Sequence, residues 1–503
     1  MDTQSNFPAD LLVELDRSRP RGLRAQLERG LRQAITRGSL LPGTVLPPSR
    51  VLAAELSVSR SLVVGVYEQL TAEGYLETLR GSGTRVRADG MSASGTCVSD
   101  PALDPAPEAA PYWPLRVDAS GAAIQGSGLP DPALFPRGEW LRHYRDMLRD
   151  IPDTGLLHPP PRGEAALRTA LAAYLGRVRG VRANAEQVVI CAGFSQGLAV
   201  LCRVLARRGV RRIAVEDPCF RMHRAIIGAT GLDVVPVPVS LHGRSQGLSQ
   251  GLSHGLEVSR LAALNVGAVL LSPAHSYPSG AVLAADRRVA LLAWARETGG
   301  LVIEDDYDAE LRYDRQPVGA LQGMDPARVA YGGSVSKVLS PALRLGWIVT
   351  PRHLTGDVIR AKLREDVGSE SFGQLALARF IDSGGFARHL RRVRPVYRSR
   401  RDAAISAVTR CLPGVRVSGE SAGLHLLLRL PPAWDPLAVS EIAARYGVQL
   451  EDASWHWADR EAAPPALLIG YGPVRPSTLV SGIEALGKEL ASALGELPYA
   501  SRR

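Results

Sequence analysis

From about residue 120 onward, short apolar runs alternate with amphipathic stretches, and few folds accommodate that pattern. Gln187–Cys191, Ile213–Glu216, Val234–Val237, Ala268–Leu271, Leu301–Glu304 and Leu345–Thr350 are short and mostly apolar, as buried strands are. Between them, Ala166–Tyr174, Ser195–Ala206, Asp286–Glu297 and Asp357–Glu365 repeat apolar residues at helical spacing. The alternation predicts an α/β domain with a mainly parallel sheet. Functional residues in such folds gather where strands end.

The strand ends carry chemistry. After Gln187–Cys191 comes AGFSQGL, where Gly193 permits a tight turn. The amides of Phe194 and Ser195 then lie at a helix N-terminus, a place suited to a phosphate. After Ile213–Glu216 comes Phe220, placed to lie against a flat heterocycle. The turn Pro273–Gly280 offers His275, Ser276 or Tyr277 to a ring oxygen. After Leu301–Glu304, Asp305 and Tyr307 share a face by alternation. A buried carboxylate there keeps a pyridine nitrogen protonated, and a tyrosine hydroxyl binds the ring oxygen beside it. Lys337 follows in GSVSKVLSPALRLGW, between Ser334, Ser336 and Arg344, in a chain whose basic residues are mostly arginine. An amine among hydroxyls, with a guanidinium one strand away, suits a Schiff base to a phosphorylated aldehyde, usually pyridoxal 5'-phosphate (PLP). Each signal is weak alone; their common order at successive strand ends gives them force.

The N-terminal part, residues 8–88, has a different layout. Leu23, Leu27, Leu31 and Ile35 line one face of a helix that stops near Gly38. After a turn-rich connector, Ser49 is placed to cap a helix from Arg50 to Leu56, and a third helix runs from Arg60 to Glu73. Tyr75–Thr78 and Thr84–Arg87 then predict a hairpin. Helix, helix, turn, helix and hairpin is the order of a winged helix-turn-helix. Residues 89–116 are rich in Ser, Ala, Pro and Gly without periodicity, as linkers are. The repeated tetrads at Ser245–Leu256 read as a surface insertion.

The chain has 503 residues and carries a net charge of +10, but residues 1–88 hold 12 arginines against 9 acids. The basic excess therefore does not single out the N-terminal part. The five cysteines are scattered without paired metal-ligand spacing, which suggests reduced thiols in the cytoplasm. No apolar run approaches the ~18 residues of a membrane span, and the N-terminus lacks a secretory layout.

Pro42 to Val86 closely resembles the GntR family of winged-helix DNA-binding domains. The resemblance implies contacts to double-stranded DNA from Arg50 and Arg60, Ser59 and Ser61 at the start of the recognition helix, and Gly81 and Gly83 at the wing tip. Residues 117–497 resemble the aspartate-aminotransferase-like (fold type I) PLP proteins. Together the two parts resemble the MocR-family transcriptional regulators. That implies Lys337 as the Schiff-base lysine, Asp305 at the pyridine nitrogen, Tyr307 at the ring oxygen and Phe220 as the stacking ring. Ser334, Ser336, Arg344 and the Phe194–Ser195 turn would cradle the phosphate. It also implies a head-to-tail homodimer. Three positions depart from the family pattern: His158 in place of a tyrosine, Ser276 in place of glutamine, and Leu468 in place of the arginine that grips a substrate carboxylate, with Arg475 nearby as a substitute. A regulator that senses PLP or a small amine through Lys337 is the leading expectation, and Leu468 favours PLP itself. The alternative is a working aminotransferase with an appended DNA-binding domain.

Overall fold

The computed structural model describes residues 22–79, 83–87, 127–240, 254–313, 318–419 and 422–494. Gly81, the linker at 89–116 and most of the tetrad segment lie outside the described residues. The chain divides into two compact units, residues 1–111 and 112–503.

In the first unit, α1 (Leu23–Thr36), α2 (Ser49–Glu55) and α3 (Arg60–Ala72) precede the antiparallel strands β1 (Leu76–Leu79) and β2 (Gly83–Val86). The leucine stripe of α1 is buried at Leu27 and Leu31, against Val63, Val66 and Leu70 of α3. Ser49 does not cap α2: it is the first helical residue, and Pro48 holds the cap position without a side-chain bond. Proline is pre-set for the extended conformation needed there. Ser59 does cap α3, its Oγ accepting the Leu62 amide at 3.2 Å.

The second unit begins with α4 (Arg137–Asp150) and α5 (Ala165–Arg179). There follow β3 (Val188–Cys191), α6 (Phe194–Arg207), β4 (Arg212–Asp217), α7 (Arg221–Ala229), β5 (Asp233–Ser240) and β6 (Gly255–Leu256). Next come β7 (Ala268–Leu271), α8 (Ala285–Thr298), β8 (Leu301–Asp305), β9 (Val329–Ser334), β10 (Gly346–Val349), α9 (Arg352–Asp366), α10 (Phe372–Asp382) and α11 (Gly385–Cys411). The C-terminal part holds β11 (Arg416–Ser418), β12 (His425–Arg429), α12 (Pro436–Arg445), β13 (Leu450–Asp452), β14 (Ala466–Gly470) and α13 (Pro476–Leu494).

The large sheet has the order β3-β10-β9-β8-β7-β4-β5-β6. The pairs β5–β4–β7–β8–β9 are parallel, whereas β10 runs antiparallel to both β9 and β3. The sheet is thus mainly parallel, with β10 reversed inside it and the short β6 antiparallel to β5 at its edge. A separate antiparallel sheet, β11-β12-β14-β13, forms the C-terminal part. Strands of the large sheet are apolar because both faces are covered: β3, β7, β8, β9 and β10 are buried throughout. Among the described residues no helix is long and apolar enough to cross a membrane.

Candidate cofactor site

The ends of β8 and β9 lie side by side, with Asp305 opposite Gly332 in register, and Lys337 follows three residues after β9. Lys337 Nζ donates to the Gly128 carbonyl at 2.7 Å. Burial lowers the pKa of its ammonium, and the charges of Asp308, Asp305 and Glu451 work against that shift. The amine is therefore more available in its neutral, nucleophilic form than a surface lysine.

Asp305 is buried, and its Oδ1 has no hydrogen-bond partner among the described residues. Its Oδ2 lies 3.5 Å from Nε2 of the buried His223. Burial, together with the charges of Asp306, Asp308 and Glu216, pushes the Asp305 pKa well up, and the charge of Lys337 opposes this. Burial also lowers the His223 pKa to about 3, aided by Arg224, so this neighbour brings no charge. An orphaned carboxyl oxygen at a strand end is costly unless a donor meets it. A protonated pyridine nitrogen is such a donor.

The residues around Asp305 hold it in place. Asp306 points the other way, into a bidentate ion pair with Arg179 at 2.7 and 3.0 Å, and accepts the Tyr331 hydroxyl at 2.6 Å. Glu304 accepts the amides of Leu321 and Gln322 at 2.9 and 3.0 Å. Tyr307 is on the Asp305 side: its hydroxyl lies 3.0 Å from His275 Nδ1, which also lies 2.8 Å from Asp308. Phe220, at the start of α7, sits edge-on to Tyr277 (5.6 Å) and to His223 (5.4 Å). These contacts fix the planes of the rings.

The residues expected to hold a phosphate lie at the turn into α6 and at the turn after β9. Gly193 (φ +85°) turns the chain into α6, and a Cβ there would lie 3.0 Å from the Arg344 guanidinium. Arg344 is itself in the left-handed region at φ +51°, which is strained for a non-glycine residue, and donates to the Ala192 carbonyl at 2.5 Å. The guanidinium is thus held against Ala192 and Gly193, the turn that opens α6. The Phe194 ring is not part of the cradle: it is buried, and Gly332 is glycine because a Cβ there would lie 2.2 Å from that ring. Ser334 Oγ accepts the Ser336 amide at 3.4 Å, so the two serines shape one turn beside Lys337.

Several site residues were not evident in the sequence. Ser127, Gly128, Glu451 and His456 reach here from distant segments without a motif, whereas His223 and Asp308 lie three residues beyond Phe220 and Asp305. Ser276 is buried beside Glu216, whose own pKa burial pushes up to about 7. Leu468 is buried against Leu427, Ala453 and Ala466, with Tyr277 and Trp457 packed on them. Arg475 is exposed at the start of α13 and does not replace a guanidinium in that interior; His158 is also exposed. In the first unit Arg50, Ser59, Arg60, Ser61 and Gly83 are all exposed, the serines and Arg60 at the N-terminal end of α3. Ser59 and Ser61 Oγ lie 3.1 Å apart, so Ser59 is occupied in shaping this end as well as being accessible.

Residues 140–454 match the aminotransferase class I and II family, and residues 23–86 match the gntR family of bacterial regulatory proteins. A kynurenine aminotransferase from Pyrococcus horikoshii superposes with a TM-score of 0.65 at 25% identity, over 74% of this chain and 91% of that one. A DNA-binding head of the GntR type with an aminotransferase fold behind it defines a class of helix-turn-helix transcriptional regulator. The Bacillus subtilis HTH-type transcriptional regulator YdeL is 33% identical over 95% of this chain and 98% of its own. The Corynebacterium glutamicum pyridoxine biosynthesis transcriptional regulator PdxR is 32% identical over 94% and 96%. The probable rhizopine catabolism regulatory protein MocR of Rhizobium meliloti is 30% identical over 94% and 95%. The chain belongs to the MocR-type family of GntR–aminotransferase fusion regulators, and it is a DNA-binding protein.

Proposed function

We propose that this transcriptional regulator holds PLP at Lys337 and uses the state of that site to set its hold on an operator, acting in the cytoplasm as a head-to-tail homodimer. The observation that carries the reading is Asp305. It is a buried carboxyl with one oxygen unpartnered, at the strand end next to the one that delivers Lys337. PLP fits that donor set. When bound, it supplies an electrophilic aldehyde carbon and an electron-accepting ring. Lys337 provides the amine for the aldehyde, Asp305 faces the ring nitrogen and Tyr307 the ring oxygen. Phe220 covers the ring, and Arg344, Ser334, Ser336 and the amides of Phe194 and Ser195 hold the phosphate.

The same lysine supports a link to the rest of the chain. Its amine donates to the Gly128 carbonyl, within the larger unit. Covalent use of that amine removes a donor from the Gly128 carbonyl. The ligand state thereby alters how Lys337 and Gly128 are paired.

The test is spectroscopic and functional together. Full-length protein mixed with PLP is expected to gain visible absorbance that Lys337→Ala lacks, and operator affinity is expected to differ between PLP-loaded and PLP-free protein. Equal absorbance in Lys337→Ala would place the cofactor elsewhere. Equal affinity in both states would leave PLP without a regulatory role. The aminotransferase alternative is separated by chemistry: rapid formation of pyridoxamine phosphate with a common amino acid would favour it. Leu468 gives no grip on an α-carboxylate and argues against such turnover.

A further inference from the structure

On the far side of Lys337 the site is built around a carboxylate. Glu451 lies on β13 directly opposite Leu468 of β14, so the two side chains share one face of the small sheet. Leu468 is fully buried and offers no charge. Glu451 is partly open, its side chain 27% exposed. Its Oε2 accepts a hydrogen bond from Ser127 Oγ, and its Oε1 lies 3.3 Å from His456 Nε2. Ser127 Oγ is also 3.2 Å from the Tyr277 hydroxyl, and the next residue, Gly128, receives the Lys337 amine. Glu451 and Lys337 are thus held by consecutive residues, Ser127 and Gly128.

The surrounding rings form a compact wall. Tyr277 lies 4.9 Å from His456 and 5.6 Å from Phe220, centroid to centroid, and Phe220 stacks on His456 at 6.3 Å. Burial, which alone would raise the Glu451 pKa, is outweighed by the His456 contact, Ser127 and the charge of Arg221, so the residue stays ionised. Two arginines approach this end. Arg224 is spent on the carbonyls of Trp455, His456 and Trp457. Arg221 lies over the Trp455 ring at 5.4 Å. A carboxylate-bearing ligand in this space meets Glu451 across an apolar floor, and like charges repel strongly in such surroundings. An ammonium there gains a carboxylate, aromatic faces and an unpartnered His456 Nδ1.

We propose that the ligand of this site is a short amine that carries a second ammonium group and no carboxylate, with one amine beside Lys337 and the distal ammonium on Glu451. This rests on the cofactor-site reading above and specifies its effector. A zwitterionic amino acid is disfavoured because its carboxylate falls between Leu468 and Glu451.

The test is isothermal titration of PLP-loaded full-length protein with 1,4-diaminobutane, n-butylamine, 4-aminobutyrate and glutamate. The diamine is expected to bind roughly tenfold or more tightly than butylamine, the worth of a charge-assisted contact. Both amino acids are expected to bind more weakly than butylamine. Glu451→Gln is expected to erase the diamine advantage. Its circular dichroism and PLP absorbance report whether it folds and loads, and the ranking in the wild type decides the matter if it does not. If 4-aminobutyrate or glutamate binds as tightly as the diamine, or if folded Glu451→Gln keeps the preference, the proposal is overturned. Wild-type protein that takes up no PLP overturns the underlying cofactor reading and this inference with it. PLP uptake without diamine preference overturns this inference alone.

Discussion

At Lys337 two opposing effects decide reactivity. Burial lowers the ammonium pKa from 10.5, and Asp308, Asp305 and Glu451 partly restore it. The neutral amine is the form that adds to an aldehyde, so attachment of PLP accelerates as pH rises through the Lys337 pKa. The midpoint of that rise is expected below 10.5. Asp308 is the strongest of the restoring charges, so Asp308→Asn removes stabilisation of the ammonium and moves the midpoint further down. Stopped-flow growth of visible absorbance against pH measures both. An upward move in Asp308→Asn would mean that its bond to His275, and not its charge, governs the lysine. Asp305 obeys the same logic with the opposite sign. Burial and the neighbouring carboxylates raise its pKa, and the nearby cation of Lys337 works against that rise.

At the scale of elements, the site depends on how strand ends are anchored. Arg179, the last residue of α5, pairs with Asp306 just beyond β8, and both side chains are almost fully buried. Removing one partner strands a buried charge, which costs about 3–5 kcal/mol. Arg179→Met is therefore expected to lower the unfolding free energy of the large unit by that amount, with PLP binding weakened as the β8 end loosens. Chemical denaturation followed by fluorescence checks it, and a loss under about 1 kcal/mol would mark the pair as a surface-like contact. Gly193 is anchored differently. An alanine there must hold φ +85° and sit 3.0 Å from the Arg344 guanidinium. The expected result is a loss of about 1 kcal/mol in stability, with a larger proportional loss in PLP affinity read by titration. These anchors also show what the sequence could convey. Apolar runs ended by Gly193, Phe220 and Asp305 announced a parallel α/β sheet, because burial on both faces leaves a continuous apolar signature. Strand β9 was not announced, although it leads into Lys337. Its Gly332 and Gly333 weaken any strand pattern, and they are small to make room for the rings of Phe194 and Trp347. The direction of β10 was equally hidden, since composition does not encode whether neighbours run parallel. Glu451 became meaningful only through its pairing with Leu468, a contact set by the register of two strands. Ser127 and Gly128 carry no motif, and they enter the site only because the chain folds back across it.

The whole molecule joins a small winged-helix unit to a large ligand-binding unit, and the sequence between them has the composition of a linker. Each head presents a short recognition helix with Arg60 and two serines at its N-terminal end, enough for a few phosphate and base contacts. One such head binds DNA modestly. In the proposed homodimer, two heads on one operator gain through effective concentration, provided that their separation and facing match the two half-sites. Regulation then needs no change in either head, only a change in what the tether allows. The prediction is geometric. Inserting about 5 base pairs between the half-sites puts one of them on the opposite face of the duplex, and affinity should fall toward that of a single half-site, a loss of roughly 100-fold. Inserting about 10 base pairs restores the facing but not the distance, so recovery should be partial and should depend on PLP if the site controls the reach of the tether. Fluorescence anisotropy with the three operators, with and without PLP, measures this. Affinity indifferent to spacing would mean that the heads bind independently. A spacing dependence that PLP does not alter would confine the ligand site to a role other than setting the distance between heads.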